Sequence, residues 1–212
     1  MKIGIIGAMD QEIKILKEQI ENPVSWERAG ALFVSGGIGR HEVILVRSGI
    51  GKVAASTITS LLIQRYGVNM VINTGSAGGI GEGLQVGDIV VSEKLAYFDV
   101  DVTGFGYKFG QLPAGMPLYF DASKYLIAEM TKAAEATEHH VRKGLIVTGD
   151  TFVNDPQKAA EIKRHFPDAL ANEMEGAAVA QTAYLFEIPF LVVRAISDTA
   201  DHDAAMTFDE FI

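Results

Sequence analysis

The stretch NEMEGAAVAQ at 172–181 places two carboxylates, Glu173 and Glu175, around a methionine and then runs into small residues. Paired carboxylates can do general acid–base work or hold the hydroxyls of a ligand. They can equally be an ordinary solvated first helical turn, where the helix dipole favours acids. Gly176, Ala177 and Ala178 argue for close packing, and charged groups are seldom buried without a partner. The residues that converge on this point decide between the two.

Four other stretches have the same character: an apolar run that ends in glycine, an acid or a hydroxyl. GAMDQE at 7–12 puts Glu12 in the first turn of a helix; NTGSAGG at 73–79 supplies Ser76 between glycines. VTGDTFV at 147–153 supplies Asp150 and Phe152, and RAISDTAD at 194–201 supplies Ser197 and Asp198. In open α/β sheets ligands bind beyond the carboxyl ends of the strands, and several such ends on one edge describe a pocket. Each alone could be a tight turn. Together they make a pocket rich in carboxylates and poor in cations, suited to a neutral, hydroxyl-bearing ligand and poorly suited to a phosphate.

Two glycine motifs fail as nucleotide fingerprints. SGIGKVAAS has Val46 and Val53 where a phosphate loop needs Gly and Ser or Thr. It remains a glycine turn opening a helix, whose free amides can hold a polar group. GGIGEG at 78–83 lacks the dinucleotide spacing and leads into a strand. No metal site is expected: His139 and His140 are adjacent and diverge on a helix, and His41, His165 and His202 stand alone.

The elements that must position these residues can be read from periodicity. Apolar strands are expected at 2–7, in a hairpin within 31–49, at 69–75, over 87–102 as one long bent strand or two, at 142–150 and at 189–198. Helices are expected over 10–21 (Ile13, Leu16 and Ile20 at helical spacing), 52–67 with Gly67 as cap, and 121–137 with Asp121 or Ser123 as cap. Two more are expected at 155–166, with Pro156 at its start, and at 175–187. Strands alternating with helices predict an α/β fold with a central mixed sheet flanked by helices. Residues 103–120, TGFGYKFGQLPAGMPLYF, show no periodicity. Leaving Phe105, Tyr107, Phe109, Leu112 and Pro113 exposed there would be costly, which predicts a homo-oligomer.

The composition narrows the class further. The chain has 212 residues, 48% hydrophobic and 21% charged, which fits one ordinary globular domain. With 27 acids against 18 bases the net charge is −9, so nucleic acid is not an expected partner. Cysteine is absent, which removes disulfides and thiolate chemistry. The N-terminal apolar run is too short for a signal peptide and acids come directly after it. No segment reaches the ~18 apolar residues that span a bilayer. A cytoplasmic protein is the expectation.

MKIGIIGAM with Glu12, SGIGKVAA, VINTGSAGG, VGDIVVS, FGYKFGQLP, GLIVTGD with Phe152, EMEG, PFLVVRAISD and FDEF succeed one another along nearly the whole chain. In this the sequence resembles the 5'-methylthioadenosine/S-adenosylhomocysteine nucleosidases of the nucleoside phosphorylase superfamily. The resemblance implies a three-layer α/β sandwich over a single domain at 1–212, a homodimer, no cofactor, and hydrolysis of an N-glycosidic bond with release of adenine. It assigns Glu12 to activate water and Asp198 to protonate the departing purine. Glu175 would hold the ribose hydroxyls, Met174 would pack beneath the ribose, and Phe152 and the Val153 backbone would hold adenine. Ser76, Gly78 and Ser197 would complete this shell. Met9, Ile50, Val102 and Phe208 would line the alkylthio side, with Phe105 and Pro113 entering from the partner subunit. It leaves Glu173 with a surface or structural role.

The nearest competing activity is a phosphorylase, whose hexameric relatives carry an arginine before the Gly-Ser turn; this sequence has Asn73-Thr74 there. A hydrolase for another 5'-modified nucleoside of the futalosine type, and a non-catalytic nucleoside sensor, are further alternatives. The sequence also departs from the family pattern. Asn172 replaces a frequent valine, Gly176-Ala177-Ala178 a frequent Ala-Thr-Ala, and Phe98 a frequent histidine. Family members continue past FDEFI through a final helix, and lowered stability is the expectation for a chain without it.

Overall fold

The computed structural model of the protein describes residues 1–199. Along them run β1 (Lys2–Gly7), α1 (Asp10–Glu18), β2 (Glu21–Arg28), β3 (Ala31–Ile38), β4 (His41–Arg47), α2 (Lys52–Gln64) and β5 (Met70–Gly79). Next come β6 (Ile89–Tyr97), β7 (Phe120–Asp121), α3 (Lys124–Glu135), β8 (Val141–Thr148), α4 (Pro156–His165), β9 (Ala169–Glu173), α5 (Gly176–Leu185) and β10 (Phe190–Thr199).

The strands form one mixed sheet. From its outer edge it runs β2-β3-β4-β1-β5 and continues as β9-β8-β6-β10, with β7 attached to β6. β10 then pairs in parallel back onto β5, from Phe190 opposite Val71 to Thr199 opposite Gly79, so the far half of the sheet closes on itself. Helices cover both faces. Because successive strand residues point to opposite sides, Ile6, Phe33, Ile44 and Val46 pack with Ile58 and Leu62 of α2 and Val179 of α5. Their neighbours Val34, Val43 and Leu45 pack with Ile13 of α1 and with Ile20. Each fully buried aliphatic side chain of this kind contributes roughly 1.5–3 kcal/mol of transfer free energy.

β5 is where the site originates. On one side it pairs with β10 along its length. On the other, its first half pairs with β1, ending at Ile6 opposite Asn73, and its end pairs with β9, beginning at Gly78 opposite Asn172. Between these pairings Gly75 to Ala77 have no strand neighbour on that edge among the described residues, and the backbone there can bind other groups. NTGSAGG is thus the extended second half of a strand and not a turn.

Other expectations need correction. The first helix stops at Glu18, three residues short of the expected end. Ile20 is buried because the chain turns into β2 beneath it, and not because the helix continues. β2 itself carries Pro23 and gives no clear strand signal; it is tolerated as the sheet's edge strand, with a register shift between Glu21 and Val24. β9, sequence ALANE, is equally silent, since small residues become a strand only through burial between β8 and β5. The 87–102 stretch holds a single strand, β6, with a bulge between Ser92 and Lys94. Ser123 caps α3 and Pro156 opens α4 as expected, whereas α2 stops at Gln64 with Arg65 at its cap, so Gly67, with a φ of 64°, lies beyond the helix end.

Candidate active site

Glu12 sits at the third position of α1, where an acid reaches back to the amides that open the helix. Its Oε2 accepts from the Ala8 N–H at 2.8 Å and the Met9 N–H at 3.1 Å. Its Oε1 accepts from the N–H of Ser76 at 3.0 Å and from the Ser76 hydroxyl at 3.1 Å. The β5 gap supplies both Ser76 donors. Four donors fix the carboxylate at the mouth of the sheet. A β-carbon on Gly75 would lie 2.6 Å from Oε1, so only glycine admits Glu12 here.

Asp198 stands at a register shift of β10 against β5, between Ile196 and Asp198. Such bulges re-aim side chains. The Ser197 hydroxyl donates to Asp198 Oδ1 at 2.6 Å. Burial raises the pKa of Asp198 above the ordinary carboxylate range, opposed by the Ser197 hydrogen bond. That direction favours the protonated carboxyl, the form that can donate. Asp198 lies opposite Gly78 of β5, and Ser76, which holds Glu12, is two residues earlier on that strand. Two residues along a strand separate these anchors by about 7 Å.

The Glu-Met-Glu segment is buried, so it is not a solvated helical turn. Glu173 ends β9 and is the hub beneath the pocket, not a surface residue. One oxygen accepts from the Thr148 hydroxyl; the other accepts from the Arg194 guanidinium, from the Glu175 N–H at 3.0 Å and from the Gly176 N–H at 2.7 Å. The Thr148 hydroxyl in turn accepts from the Ala177 N–H at 2.7 Å. The first amides of α5 are therefore satisfied from β8 and β9. Gly176 is required for this packing: a β-carbon would meet Leu95 at 2.7 Å.

Glu175 caps α5 and accepts from the Gly51 N–H at 2.8 Å. Burial first, and then the Glu173 charge, push its pKa up to about 7, opposed by Arg194 and the Gly51 hydrogen bond. Arg194 is a functional residue that motif and periodicity do not single out. It is 1% exposed, donates to Asn73 Oδ1 at 2.6 Å and to Glu173, and lies 3.8 Å from Glu175 Oε2. Its Nε and Nη1 have no hydrogen-bond partner among the described residues, and Nη1 lies against Gly75 beside Glu12. The signal in the chain is a lone arginine in the otherwise apolar run FLVVRAIS, which must have a buried anionic partner. Asn73 is a buried bridge from Arg194 to the Ile6 carbonyl.

These groups line one cavity of about 390 Å³, in the range of small-molecule sites. Met9, Glu12, Ile50, Ser76 and Gly78 come from the β1, α2 and β5 side. Phe152, Val153, Met174, Glu175, Ser197 and Asp198 come from the opposite side. Ala8, Ala77, Thr151 and Asn172 also line it. Val102, Phe105 and Pro113 do not. Phe105 is 85% exposed, while Phe109 of the same loop stacks on His165 at 3.8 Å. Phe208 lies outside the described residues. Among the described residues no cluster of three or more metal-ligating side chains occurs.

Comparison with known proteins agrees with this geometry. The chain matches the model of the phosphorylase superfamily over residues 2–212 and belongs to that superfamily. Within it, its relatives are the 5'-methylthioadenosine/S-adenosylhomocysteine nucleosidases, and the chain is one of this group. The nucleosidase of Exiguobacterium sp. is 47% identical, over 100% of this chain and 91% of the relative. The S. pneumoniae nucleosidase, solved with the transition-state inhibitor MT-ImmA, superposes with a TM-score of 0.93 at 46% identity, over 100% and 92% of the two chains. The Neisseria meningitidis nucleosidase, in complex with methylthio-immucillin-A, gives 0.95 at 43%, over 99% and 91%.

Proposed function

We propose that the protein hydrolyses the N-glycosidic bond of 5'-methylthioadenosine and S-adenosylhomocysteine, releasing adenine and the thioribose product. The observation that carries the reading is the placement of Glu12 and Asp198 in one cavity, anchored two residues apart on β5. Water is the nucleophile. Glu12 takes its proton as the oxygen bonds to the anomeric carbon. The C–N bond breaks, its electron pair leaves with the purine, and Asp198 supplies the proton that neutralises the departing base. Positive charge grows on the ribose meanwhile. Glu175, in contact with the 2'- and 3'-hydroxyls, stabilises it more in the transition state than in the ground state. Met174 lies under the sugar, Phe152 stacks on adenine, and the Val153 backbone reads its edge. Ser76 and Arg194 hold the carboxylates in place.

The dense acid content opposes a phosphorylase: a phosphate would meet Glu12, Glu173 and Glu175, with Arg194 Nη2 already held by Asn73 and Glu173. We read residues 1–212 as one nucleosidase domain. We further read it as a homodimer in which Phe105 and Pro113 close the partner's pocket. The support is the exposure of Phe105 on a loop otherwise held down by Phe109 and His165. Among the described residues no helix is long and apolar enough to cross a membrane; with no cysteine in the sequence, we place the enzyme in the cytoplasm.

The test is adenine release from methylthioadenosine with and without phosphate, for the native protein and Glu12→Gln. Release independent of phosphate, yielding free methylthioribose and lost in the variant, is the expected result. Formation of the sugar 1-phosphate would overturn it.

A further inference from the structure

A second polar network lies outside the cavity and joins three segments that the proposed function needs in register. Gly51 holds the cap position before α2 with a φ of 97°, open to glycine, and glycine has no side chain with which to cap the helix. The first amides of α2 are instead served from far along the chain. The Gly51 N–H donates to Glu175 Oε1 at 2.8 Å, and the Lys52 N–H donates to Asp150 Oδ1 at 2.8 Å. The Lys52 ammonium donates to Asp99 Oδ2 at 2.6 Å and lies 3.8 Å from Asp150 Oδ2. The same Asp99 oxygen accepts from the Asp150 N–H at 2.9 Å. Asp150 is two residues from Phe152. Lys52 also lies 5.4 Å over the Tyr97 ring, and the Tyr97 hydroxyl donates to Gln181 of α5 at 2.6 Å. One cation thus ties the ends of β6 and β8 to the start of α2, and Tyr97 extends the network to the middle of α5.

We propose that Lys52 is a positioning residue for the hydrolysis: through Asp99 and Asp150 it locks the start of α2 to the 149–153 loop, keeping the Gly51 N–H on Glu175 and Phe152 at the pocket. The inference rests on the reading of Glu175 as the ribose-holding group. Without the cation, Asp99 and Asp150 face each other uncompensated at the start of α2. The 149–153 loop then separates from the helix, and the Gly51 amide leaves Glu175.

The charge on Glu175 is balanced by groups from four elements. Glu173 on β9 and Glu12 on α1 disfavour its charge; Arg194 on β10 and the Gly51 amide at α2 favour it. Loss of the amide therefore raises the pH at which Glu175 ionises. In Lys52→Met, kcat/KM is expected to fall about tenfold, with its acid limb displaced upward by about one pH unit. Lys52→Arg, which keeps the charge, should restore most of the rate and the native acid limb. A role in stability alone would lower the melting temperature and leave the pH profile in place.

The decisive measurement is the titration of the Glu175 carboxyl carbon by ¹³C NMR in the native, Met and Arg proteins, alongside the pH dependence of kcat and KM. An identical Glu175 titration in native and Met proteins would overturn the inference, as would a rate loss that arginine fails to restore. Failure of the native protein to release adenine would instead overturn the proposed function. The NMR titration reads Lys52's hold on Glu175 without activity, so the two failures are distinguishable.

Discussion

Gly75 and Glu12 touch so closely that a β-carbon on the glycine would sit 2.6 Å from the Glu12 carboxylate and 3.1 Å from Arg194 Nη1. The carboxylate is seated by the absence of a side chain. Gly75→Ala is therefore expected to push Glu12 off the Ser76 amide and lower kcat by about 10²–10⁴-fold, the usual worth of general-base catalysis. The backbone there is ordinary extended strand, so folding should survive. Circular dichroism with steady-state kinetics tests this; near-native kcat in a folded Ala variant would show that the carboxylate need not sit where it does.

Glu175 links stability to pH. Its pKa is raised from 4.5 to about 7 in the folded protein, chiefly by burial. A carboxyl whose pKa is raised on folding binds protons more tightly in the native state. Its contribution to stability is thus fully present below about pH 4.5 and lost as pH rises through about 7. Glu175→Gln should melt higher than the native protein at pH 8, by about 2–4 °C for each kcal/mol regained, with no advantage at pH 4. The same variant should lose most activity. A lower melting temperature at pH 8 would show that the ionised carboxylate is net stabilising.

The acid and base limbs of the pH profile should belong to different residues. Glu175 must be ionised to serve the ribose, which puts the acid limb of kcat/KM near pH 7. Asp198 must be protonated to act, and its Ser197 hydrogen bond lowers the pH at which it loses that proton. Ser197→Ala is expected to move the alkaline limb upward and leave the acid limb alone. Movement of the acid limb instead would reverse the assignments.

Glu173 and Arg194 form a buried ion pair, both nearly inaccessible. Breaking one partner leaves the other charge stranded, so Glu173→Gln or Arg194→Met should each cost about 3–5 kcal/mol in urea unfolding. The double variant should cost less than the two together. Additive losses would mean that the two side chains do not act as a pair.

Phe105, 85% exposed, should matter through another subunit. Sedimentation is expected to give a dimer, and Phe105→Ala to raise KM with kcat little changed. A monomer with full activity would end the proposed role of this loop.

Much of the site was legible in the sequence because the apolar runs of β1, β5, β8 and β10 end in residues no core would retain. Glu12, Ser76 and Asp198 stand out for that reason, and all three line the cavity. Glu175 was legible from its small neighbours, which announce a helix packed tightly at its start. Periodicity likewise determined the order and kind of most elements, since helices and strands that cover a core must repeat at fixed spacings. The tertiary structure alone decided three things. β2 and β9 exist because of what they lie beside, one carrying a proline and the other two alanines, an asparagine and a glutamate in five residues. β5 changes partner from β1 to β9, and that gap frees the amide that seats Glu12. Glu173 and Arg194, 21 residues apart, became one buried pair only when β9 and β10 took their places on the two edges of β5. Hydrogen bonds and ion pairs between distant segments leave no period in the chain, because each is set by the three-dimensional meeting of two strands and not by the local spacing of either.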